Sequence, residues 1–383
     1  MNRVESLIEQ YCPEGVEFKE LREIAKISNG KDHKYLEVGN YPVYGSGGIM
    51  RYVNQFIYNV ESVLIPRKGS IGNIFYVSEP FWTVDTIFYT KIDSGSIMPK
   101  FLYYYLKTLN LTELNFAGGV PSLTKTMLDK ISIPIPPLPV QEEIVNILDK
   151  FTSLEAELEA ELEARRKQYE YYRNRLLTFT PPHHVNSLFT AHYITIGECL
   201  IKSIGGGTPS KSRQEYWNGD IPWASVKDIV KSGSVIFETQ EYITEEGLKN
   251  SPCNIIPKGN LIIITRINPG IAVVAGRDIA INQDLRGLFV KDFVNTMYFV
   301  YYLQTLKIEG KGTTVKGISI EELGRIKIPI PPLSEQERLV AILDKFDALV
   351  NDISEGLPAE IRARRKQYEY YRNKLLTFNP VVN

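Results

Sequence analysis

The sequence predicts an α+β protein in which two globular domains of mixed sheet and short helices are separated by two long, antiparallel, coiled-coil-like helices. Three observations carry this prediction. The string RRKQYEYYRN occurs at residues 165–174 and again, unchanged, at 364–373. Each copy ends a longer segment that is similar in the two places and that follows a stretch of variable sequence. A length of 383 residues also exceeds what a single hydrophobic core usually organises.

The repeat begins well before the tyrosine-rich string. Residues 131–151 read ISIPIPPLPVQEEIVNILDKF, and residues 326–346 read IKIPIPPLSEQERLVAILDKF. Further back, SVLIPRKG at 62–69 loosely resembles LIIITRIN at 261–268. We therefore predict two tandem halves with an internal pseudo-twofold repeat. The predicted segments are a first variable domain at 1–132, a first shared segment at 133–185, a second variable domain at 186–327 and a second shared segment at 328–383.

The shared segment predicts an edge strand followed by one long helix. The prolines of IPIPPL fit a strand that leaves a domain, because proline donates no backbone hydrogen bond and is excluded from helix interiors. From Gln141 to about Leu177, apolar residues recur at steps of three and four, which indicates an amphipathic helix. At 1.5 Å per residue, this helix is about 55 Å long. A helix of that length needs a partner, so we expect the two copies to pair antiparallel.

The second shared segment contains an insertion. Between LDKF and ARRK it is four residues longer than the first copy. The inserted region includes SEGLPAEI, where Gly356 can end one helix and Pro358 can lie in the first turn of the next. We therefore expect a kink or a short break in the second long helix.

The repeated tyrosines divide into two sets. Four lie on the apolar stripe and are expected to pack against the partner helix: Tyr169, Tyr172, Tyr368 and Tyr371. Tyr171 and Tyr370 fall one position off this stripe. Helix pairing requires similarity but not identity, so the unchanged ten-residue string predicts that both copies present one docking surface to two copies of one partner. Tyr171 and Tyr370 are the predicted docking residues.

The variable domains are predicted to be curved sheets with a few short helices. SVLIPRKGSIGNIFYV and NLIIITRINPGIAVVAG are typical of hairpins. SLTKTML and GISIEEL indicate short helices, the second opened by a capping box of Ser319 and Glu322. The glycine-rich stretches at 41–50 and 204–209 lack the spacing of a phosphate-binding loop and are predicted to be turns.

Composition indicates a cytoplasmic protein without membrane contact. Hydrophobic residues make up 43% of the chain, yet no apolar run is long enough to span a bilayer. The first residues, MNRVESLIEQYCPEG, lack an apolar signal core. The cysteines Cys12, Cys199 and Cys253 are odd in number and show no C-x-x-C spacing, so we expect reduced thiols.

The arrangement of these segments resembles a known family. A variable domain, IPIPPL and a glutamine, a long helix and QYEYYR, all given twice, resemble the specificity subunit of type I restriction-modification systems, the HsdS family. NGDIPW, YGSGGI, PRKGSIG and KGISIEEL also resemble its target recognition domains. The resemblance implies that each variable domain reads one half of a bipartite DNA target and that the helix pair sets the spacing between the halves. It also implies that two methyltransferase subunits and ATP-dependent restriction subunits assemble on a chain that performs no chemistry itself.

The residues themselves also argue against an enzyme. We find no N-P-P-[YF] string of the kind that amino-methyltransferases use to grip a base. EFK at 17–19 has the E-x-K form of some nucleases, but no acidic partner precedes it at a useful distance. His183, His184 and His192 lie in or beside a proline-containing linker and are expected to be solvated. We therefore predict no catalytic residue, no metal site and no cofactor.

Charge limits how such a chain binds DNA. With 44 Lys and Arg against 45 Asp and Glu, the net charge is −1, so bulk attraction to DNA is absent and the cations must be clustered. We expect the contacts to come from cations near turn glycines. The predicted DNA-binding residues are Lys31, Lys34, Arg51, Arg67 and Lys68 in the first variable domain, and Lys211, Arg213, Lys227, Arg266 and Lys316 in the second.

Two other classes of protein stay open on the sequence. One is a coiled-coil scaffold that assembles proteins without reading DNA. The other is the non-catalytic remnant of a single-chain DNA methyltransferase. A sequence-dependent gel shift that strengthens with a methyltransferase subunit would favour the specificity subunit over the scaffold.

Overall fold

The computed structural model describes residues 2–114, 122–179, 191–311, 317–351 and 356–381. The chain divides into two compact units. The first unit comprises Met1–Glu157 with Arg362–Asn383, and the second comprises Leu158–Ile361.

The part of the chain before residue 180 consists of short elements followed by one long helix. Its helices are α1 (Asn2–Tyr11), α2 (Leu21–Ile24), α3 (Pro99–Leu106), α4 (Lys125–Asp129) and α5 (Leu138–Leu176). Its strands are β1 (Phe18–Glu20), β2 (Ala25–Asn29), β3 (Tyr41–Gly45), β4 (Gly48–Val53), β5 (Ser62–Pro66), β6 (Phe75–Val77), β7 (Trp82–Thr83), β8 (Ile87–Ile92) and β9 (Ser132–Pro134). A single 3-10 turn covers Leu111–Leu114.

The part after residue 190 also consists of short elements, which are followed by two longer helices. Its helices are α6 (Ile196–Cys199), α7 (Val226–Lys231), α8 (Glu245–Lys249), α9 (Thr296–Leu303), α10 (Ile320–Gly324), α11 (Leu333–Asn351) and α12 (Gly356–Leu375). Its strands are β10 (His192–Thr195), β11 (Leu200–Gly205), β12 (Trp217–Ala224), β13 (Val235–Ile236), β14 (Glu241–Ile243), β15 (Asn254–Ile256), β16 (Leu261–Ile264), β17 (Ala272–Ala275), β18 (Ile279–Ile281), β19 (Leu285–Val290) and β20 (Lys327–Ile330). A 3-10 turn covers Gln214–Tyr216.

Both units contain the same sheets. The first has the strand orders β2-β8-β5-β6 and β4-β3-β7, and the second has β11-β19-β16-β17-β13 and β14-β12-β18-β15. Position by position the orders agree, with one additional edge strand in each sheet of the second unit. Strands β3 and β7 are parallel, as are β12 and β18. The predicted α+β class and internal repeat are confirmed, and the repeat extends into the variable regions, where the sequences are dissimilar.

The predictions of hairpins and short helices in the variable regions are also confirmed. The stretch 41–50, predicted to be a turn, instead forms β3 and the start of β4 around residues 46–47, and residues 204–205 end β11. The two predicted hairpins are β5–β6 and β16–β17, both antiparallel. The two predicted short helices are α4 and α10, and Ser319 and Glu322 form the expected capping box. The strands of the IPIPPL segments, β9 and β20, each pair with a single partner, β1 and β10. Proline is tolerated there because the outer side of each strand needs no donor.

The core of each unit joins a sheet to the long helices. In the first unit, buried residues of β5, α3, α5 and α12 form one cluster, which includes Val63, Ile65, Phe101, Ile144, Leu148 and Leu375. In the second, buried residues of β16, α9, α11 and α5 do the same, including Leu261, Ile263, Phe299, Leu339, Leu343 and Tyr169. The hydrophobic face of the shared helix is therefore what each sheet packs against.

A buried glutamine holds the start of α5. Gln141 is fully buried, and its Oε1 accepts a hydrogen bond from the backbone N–H of Met98 at 2.8 Å. Its Nε2 donates to the carbonyls of Pro136 at 2.7 Å and Ser96 at 3.1 Å. The side chain thus ties three segments together: the proline-rich turn, the N-terminal end of α3 and the first turns of α5.

Gln336 makes the same contacts at the start of α11. It is fully buried, and its Oε1 accepts from the N–H of Asn295 at 2.8 Å. Its Nε2 donates to the carbonyls of Pro331 at 2.8 Å and Phe293 at 2.9 Å. Because all three amide functions are paired, burying this polar group carries no unsatisfied donor or acceptor.

A tyrosine–aspartate hydrogen bond recurs about two helical turns after each glutamine. The hydroxyl of Tyr104 donates to Asp149 at 2.6 Å, and that of Tyr301 donates to Asp344 at 2.6 Å. Burial, with the neighbouring carboxylate, raises the pKa of both tyrosines far above the usual value. Both hydroxyls therefore remain protonated donors over the whole physiological pH range.

The first long helix is continuous, as predicted. Helix α5 has 39 residues, about 58 Å at 1.5 Å per residue. It begins at Leu138 rather than at the predicted Gln141, because Pro139 fits the first turn, where a helix has no N–H partner to lose.

The second long helix is interrupted, as predicted, between α11 and α12. Gly356 has φ 74°, outside the right-handed helical region. A Cβ at this position would lie 2.7 Å from the carbonyl oxygen of Leu349, so only glycine fits. Pro358 lies in the first turn of α12, where its missing N–H has no helical partner to lose.

Two contacts show that helices α5 and α12 run antiparallel in the first unit. In the first unit, Phe151 stacks on Tyr371 at 5.7 Å, and four residues later Glu155 pairs with Arg365 at 2.5 Å. Residue numbers therefore rise along α5 as they fall along α12. In the second unit, Tyr172 stacks on Phe346 at 6.1 Å.

The remaining stripe tyrosines pack as expected. Tyr169 is 5% exposed in the core of the second unit, and Tyr368 packs against the core of the first.

The buried glutamines give a direct stability prediction. Gln336→Leu leaves the N–H of Asn295 and two carbonyls unpaired in the interior, so we expect the free energy of unfolding to fall by about 2–4 kcal/mol. Gln141→Leu should have the same effect. Urea unfolding followed by circular dichroism measures both, with the exposed Gln55→Leu as control, expected within about 0.5 kcal/mol of wild type. Buried variants no less stable than the control would contradict the proposed role.

Candidate nucleic-acid interface

Two predicted DNA-binding residues of the first unit, Lys31 and Lys34, lie in the surface segment 31–36, and a third, Arg51, contacts it. The backbone carbonyl of Lys31 accepts a hydrogen bond from Trp82 Nε1 at 3.0 Å. The guanidinium of Arg51 donates to the carbonyl of Leu36 at 2.7 Å. Lys34 is exposed between them in the chain. Residues far apart in sequence are thus gathered around the segment 31–36.

Aromatic side chains are interleaved with these cations. Tyr35 is 68% exposed and meets Trp82 edge-on at 6.3 Å, and Tyr52 is 48% exposed. Rings and cations side by side suit contacts with bases and phosphates. Sequence reasoning missed both tyrosines. The available signal was that each directly follows a candidate cation, Lys34 or Arg51.

The loop after β5 carries the other two candidates of the first unit. Asn73 Nδ2 donates to the carbonyl of Ser46 at 3.4 Å, and a Cβ at Gly69 would lie 3.1 Å from Ser46 Oγ. The loop that contains Arg67 and Lys68 therefore lies against the glycine-rich turn between β3 and β4. The predicted association of cations with turn glycines is present here.

Arg67 is held by a ring. Its guanidinium lies 5.4 Å from the ring centroid of Phe88, a cation–π contact, and its backbone N–H donates to the carbonyl of Thr86 at 3.0 Å. Within the described part of the chain, its buried Nε has no hydrogen-bond partner. The side chain is half-buried, so the ring orients the guanidinium without neutralising its charge.

Two candidates of the second unit are paired with carboxylates. Lys211 Nζ lies 3.8 Å from the ring centroid of Trp217 and 2.5 Å from Glu241. Arg213 pairs with Glu215 at 3.2 Å. The neighbouring carboxylates lower the positive potential that either cation offers to a phosphate, so they are weaker candidates than the sequence suggested. A cavity of about 430 Å³ adjoins them, lined by Lys211, Gln214, Trp217, Asn218, Gln240, Glu241 and Tyr242.

The last three candidates differ in their surroundings. Lys227 is exposed on α7. Arg266 follows β16, and its Nη1 is 4.0 Å from Asp284. Lys316 lies outside the described residues.

The loops after β5 and β16 are equivalent. An isolated bridge joins Lys68 to Ser122, just before α4, and another joins Arg266 to Gly317, just before α10. Arg266 therefore corresponds to Lys68. The alignment by similarity, which matched Arg266 with Arg67, is wrong by one residue.

Backbone hydrogen bonds give the same register. The N–H of Arg67 donates to Thr86, and the N–H of Thr265 donates to Asp284 at 2.9 Å. Thr265 is the counterpart of Arg67. The second unit thus has one arginine at this loop where the first has an arginine and a lysine.

The repeated string presents the same exposed tyrosine twice. Tyr171 is 58% exposed and Tyr370 is 63% exposed. Each meets the next tyrosine edge-on at 5.3 Å, Tyr172 in the first copy and Tyr371 in the second. Both copies therefore offer an exposed ring in contact with a less exposed one, which is 39% exposed in the case of Tyr172.

Other chemistry-bearing residues are few in the described ranges. The three cysteines are free and buried, and burial raises the pKa of the Cys199 thiol to about 11. Across the described ranges, no three His, Cys, Asp or Glu side chains are arranged to hold a metal ion. His192 begins β10, whereas His183 and His184 lie outside the described residues. Among the described helices, none has the length and hydropathy of a membrane span.

The sequence matches one family model twice. The model for the type I restriction modification DNA specificity domain matches residues 13–164 and 169–363. A type I restriction enzyme specificity subunit of Escherichia coli is 39% identical over 308 residues, which cover 76% of this chain and 73% of that one. A putative type I restriction enzyme specificity subunit of Haemophilus influenzae is 32% identical over 384 residues, which cover 95% and 96%.

Two solved structures share the fold. The S subunit of a type I restriction-modification system from M. genitalium superposes with a TM-score of 0.56 at 16% identity, covering 94% of this chain and 96% of that one. A chain from a structural study of type I restriction-modification complex assembly gives a TM-score of 0.59 at 19% identity, covering 94% and 97%. At these identities the likeness concerns the fold.

Proposed function

Because the chain belongs to the family of type I restriction modification DNA specificity proteins, we propose that each of its recognition domains reads one half of a bipartite DNA target. The chain is a specificity subunit, and the two matches of the family model fit two readers. The proposed recognition domains are residues 1–132 and 186–327. The shared segments at 133–185 and 328–383 separate them along the chain, and we assign to their helices the length of the unread spacer.

The observation that carries this proposal is one sheet topology under two dissimilar sequences. The strand orders agree between the units, but the loops that follow equivalent strands carry different side chains. Loops on a common scaffold are where recognition usually varies. Two readers with one frame and different loops suit two different half-sites.

The partners proposed for the chain are DNA, methyltransferase subunits and restriction subunits. Two methyltransferase subunits are proposed to dock on the two copies of RRKQYEYYRN, with Tyr171 and Tyr370 at the contact. Because the two copies of the string have the same sequence, they suit two copies of one partner. In this proposal the chain is non-catalytic and acts in the cytoplasm. The DNA is the substrate, and the partner subunits carry out the chemistry.

Exchanging one recognition domain tests the proposal directly. Replacing residues 186–327 with the corresponding domain of a relative should change one half-site and leave the other intact, because each domain has its own sheets and loops. Target selection from a random DNA library by the assembled complex measures this. A change in both half-sites would contradict independent readers, and no sequence preference at any salt concentration would favour a protein scaffold.

The docking tyrosines give a second prediction. The double variant Tyr171→Ala and Tyr370→Ala should weaken methyltransferase binding at least tenfold, since exposed aromatic residues often dominate interfaces. Its Tm should change little because both rings are mostly exposed. Calorimetric titration and thermal melts check this, with Tyr11→Ala, 47% exposed on α1, as control. A lower Tm together with unchanged methyltransferase binding would show that both tyrosines have a structural role instead.

The loop cations Lys68 and Arg266 give a third prediction. If Lys68 and Arg266 contact phosphates, Lys68→Gln and Arg266→Gln should each reduce the slope of log K against log salt by about 1. Fluorescence anisotropy of the assembled complex at several salt concentrations measures the slope. Lys150→Gln and Lys345→Gln, at equivalent exposed positions of α5 and α11, should leave it unchanged. Equal slopes for all four variants would remove the two loop residues from the interface.

A further inference from the structure

A residue with left-handed φ occurs at the same place in both recognition domains. The residue after Lys68 is Gly69, with φ 79°, and the residue after Arg266 is Ile267, with φ 77°. The bridges that join Lys68 and Arg266 to the segments before α4 and α10 make these positions equivalent. The left-handed φ is therefore common to the two positions, but the hydrogen bonds around them differ. The N–H of Asn268 donates to the carbonyl of Arg266 at 3.1 Å, whereas the N–H of Ile71 donates to the carbonyl of Gly69 at 2.9 Å.

The two residue types do not fit this turn equally well. Glycine enters the left-handed region as readily as the right-handed one. A β-branched side chain at positive φ is a true outlier, because its Cβ crowds the backbone. The second domain thus holds a strained isoleucine at the position where the first domain has a glycine with the same φ.

Packing does not account for the isoleucine. Ile267 is 53% exposed, and it borders an open cavity of about 560 Å³ together with Pro269, Ile271 and Ile308. A side chain retained for the core would be buried. Strain that persists without burial is typical of residues that act on a ligand.

The neighbours of Ile267 indicate which ligand. Arg266 precedes it, with a side chain that is 59% exposed, and Asn268 follows it. The cation suits a phosphate, and the apolar side chain and the amide beside it suit the edge of the neighbouring base pair. The apolar feature of the major groove is the 5-methyl group of thymine.

We propose that Ile267 contacts the 5-methyl group of a thymine in the half-site read by the second domain. The proposal rests on the function proposed above. It is confined to one half-site, since Gly69 has no side chain with which to make this contact.

Deoxyuridine, which lacks the methyl group, is the probe. The assembled complex of the full chain with its methyltransferase subunits is bound to its selected target, and each thymine is replaced singly. Wild type should lose about fourfold in affinity at one thymine of the second half-site, the effect of one buried methyl group. Ile267→Gly should bind thymine and deoxyuridine equally there, keep the rest of the target, and melt no lower than wild type because glycine relieves the strain.

Two further variants sharpen the test. Ile267→Asn adopts the left-handed turn readily but has no methyl group, so it should behave like Ile267→Gly. Ile201→Ala removes an isoleucine that is 65% exposed on β11 of the same unit, and it should keep the wild-type preference for thymine.

Three outcomes would overturn the inference. They are a second half-site without thymine in either strand, full discrimination retained by both Ile267 variants, and loss of methyltransferase binding without DNA in those variants. A wild-type complex that selects no bipartite target would instead refute the proposed function itself.

Discussion

The structure depends on a buried glutamine at the start of each long helix. Gln141 and Gln336 are fully buried, and each amide satisfies one backbone N–H and two carbonyls. The carbonyls of Pro136 and Pro331 belong to proline-containing turns, which cannot take part in the backbone hydrogen bonds of a helix. A side chain must therefore donate the hydrogen bonds that these carbonyls need. The same amide holds the N-terminal end of α3 or α9. A recognition domain of variable sequence is thereby fastened to a shared helix at a point that does not vary.

The helices provide the second constraint. Ring stacking of Phe151 on Tyr371 and of Tyr172 on Phe346 uses repeated residues for the same task in both units. The longer second copy consists of two helices, and Gly356, which the sequence suggested could end the first of them, is instead the first residue of α12, with φ 74°. The aromatic contacts are therefore kept although the second copy is longer, because the interruption between α11 and α12 does not include the paired aromatic residues.

The recognition domains show how one frame supports two surfaces. Their sheets have the same strand order, and the loops after β5 and β16 share a bridge and a left-handed residue. On that frame the first domain places Arg67 over Phe88, whereas the second pairs Lys211 with Glu241 over Trp217. The net charge of −1 is compatible with DNA binding because cations are presented locally rather than as a general excess.

The sequence by itself determined the elements that local periodicity governs. It predicted the two halves, the long helix, the break near Gly356, the edge strands of IPIPPL and the Ser319–Glu322 cap, because each follows from residues within a few positions of one another. Only the tertiary structure decided which side chains meet across the chain. Arg51 reaches Leu36 from 15 residues away and Lys211 reaches Glu241 from 30, and the match of Arg266 with Lys68 rather than Arg67 appears only in backbone pairing. The strain at Ile267 is likewise invisible in the sequence, since a residue's φ in a loop is imposed by the strands and bridges that hold its ends.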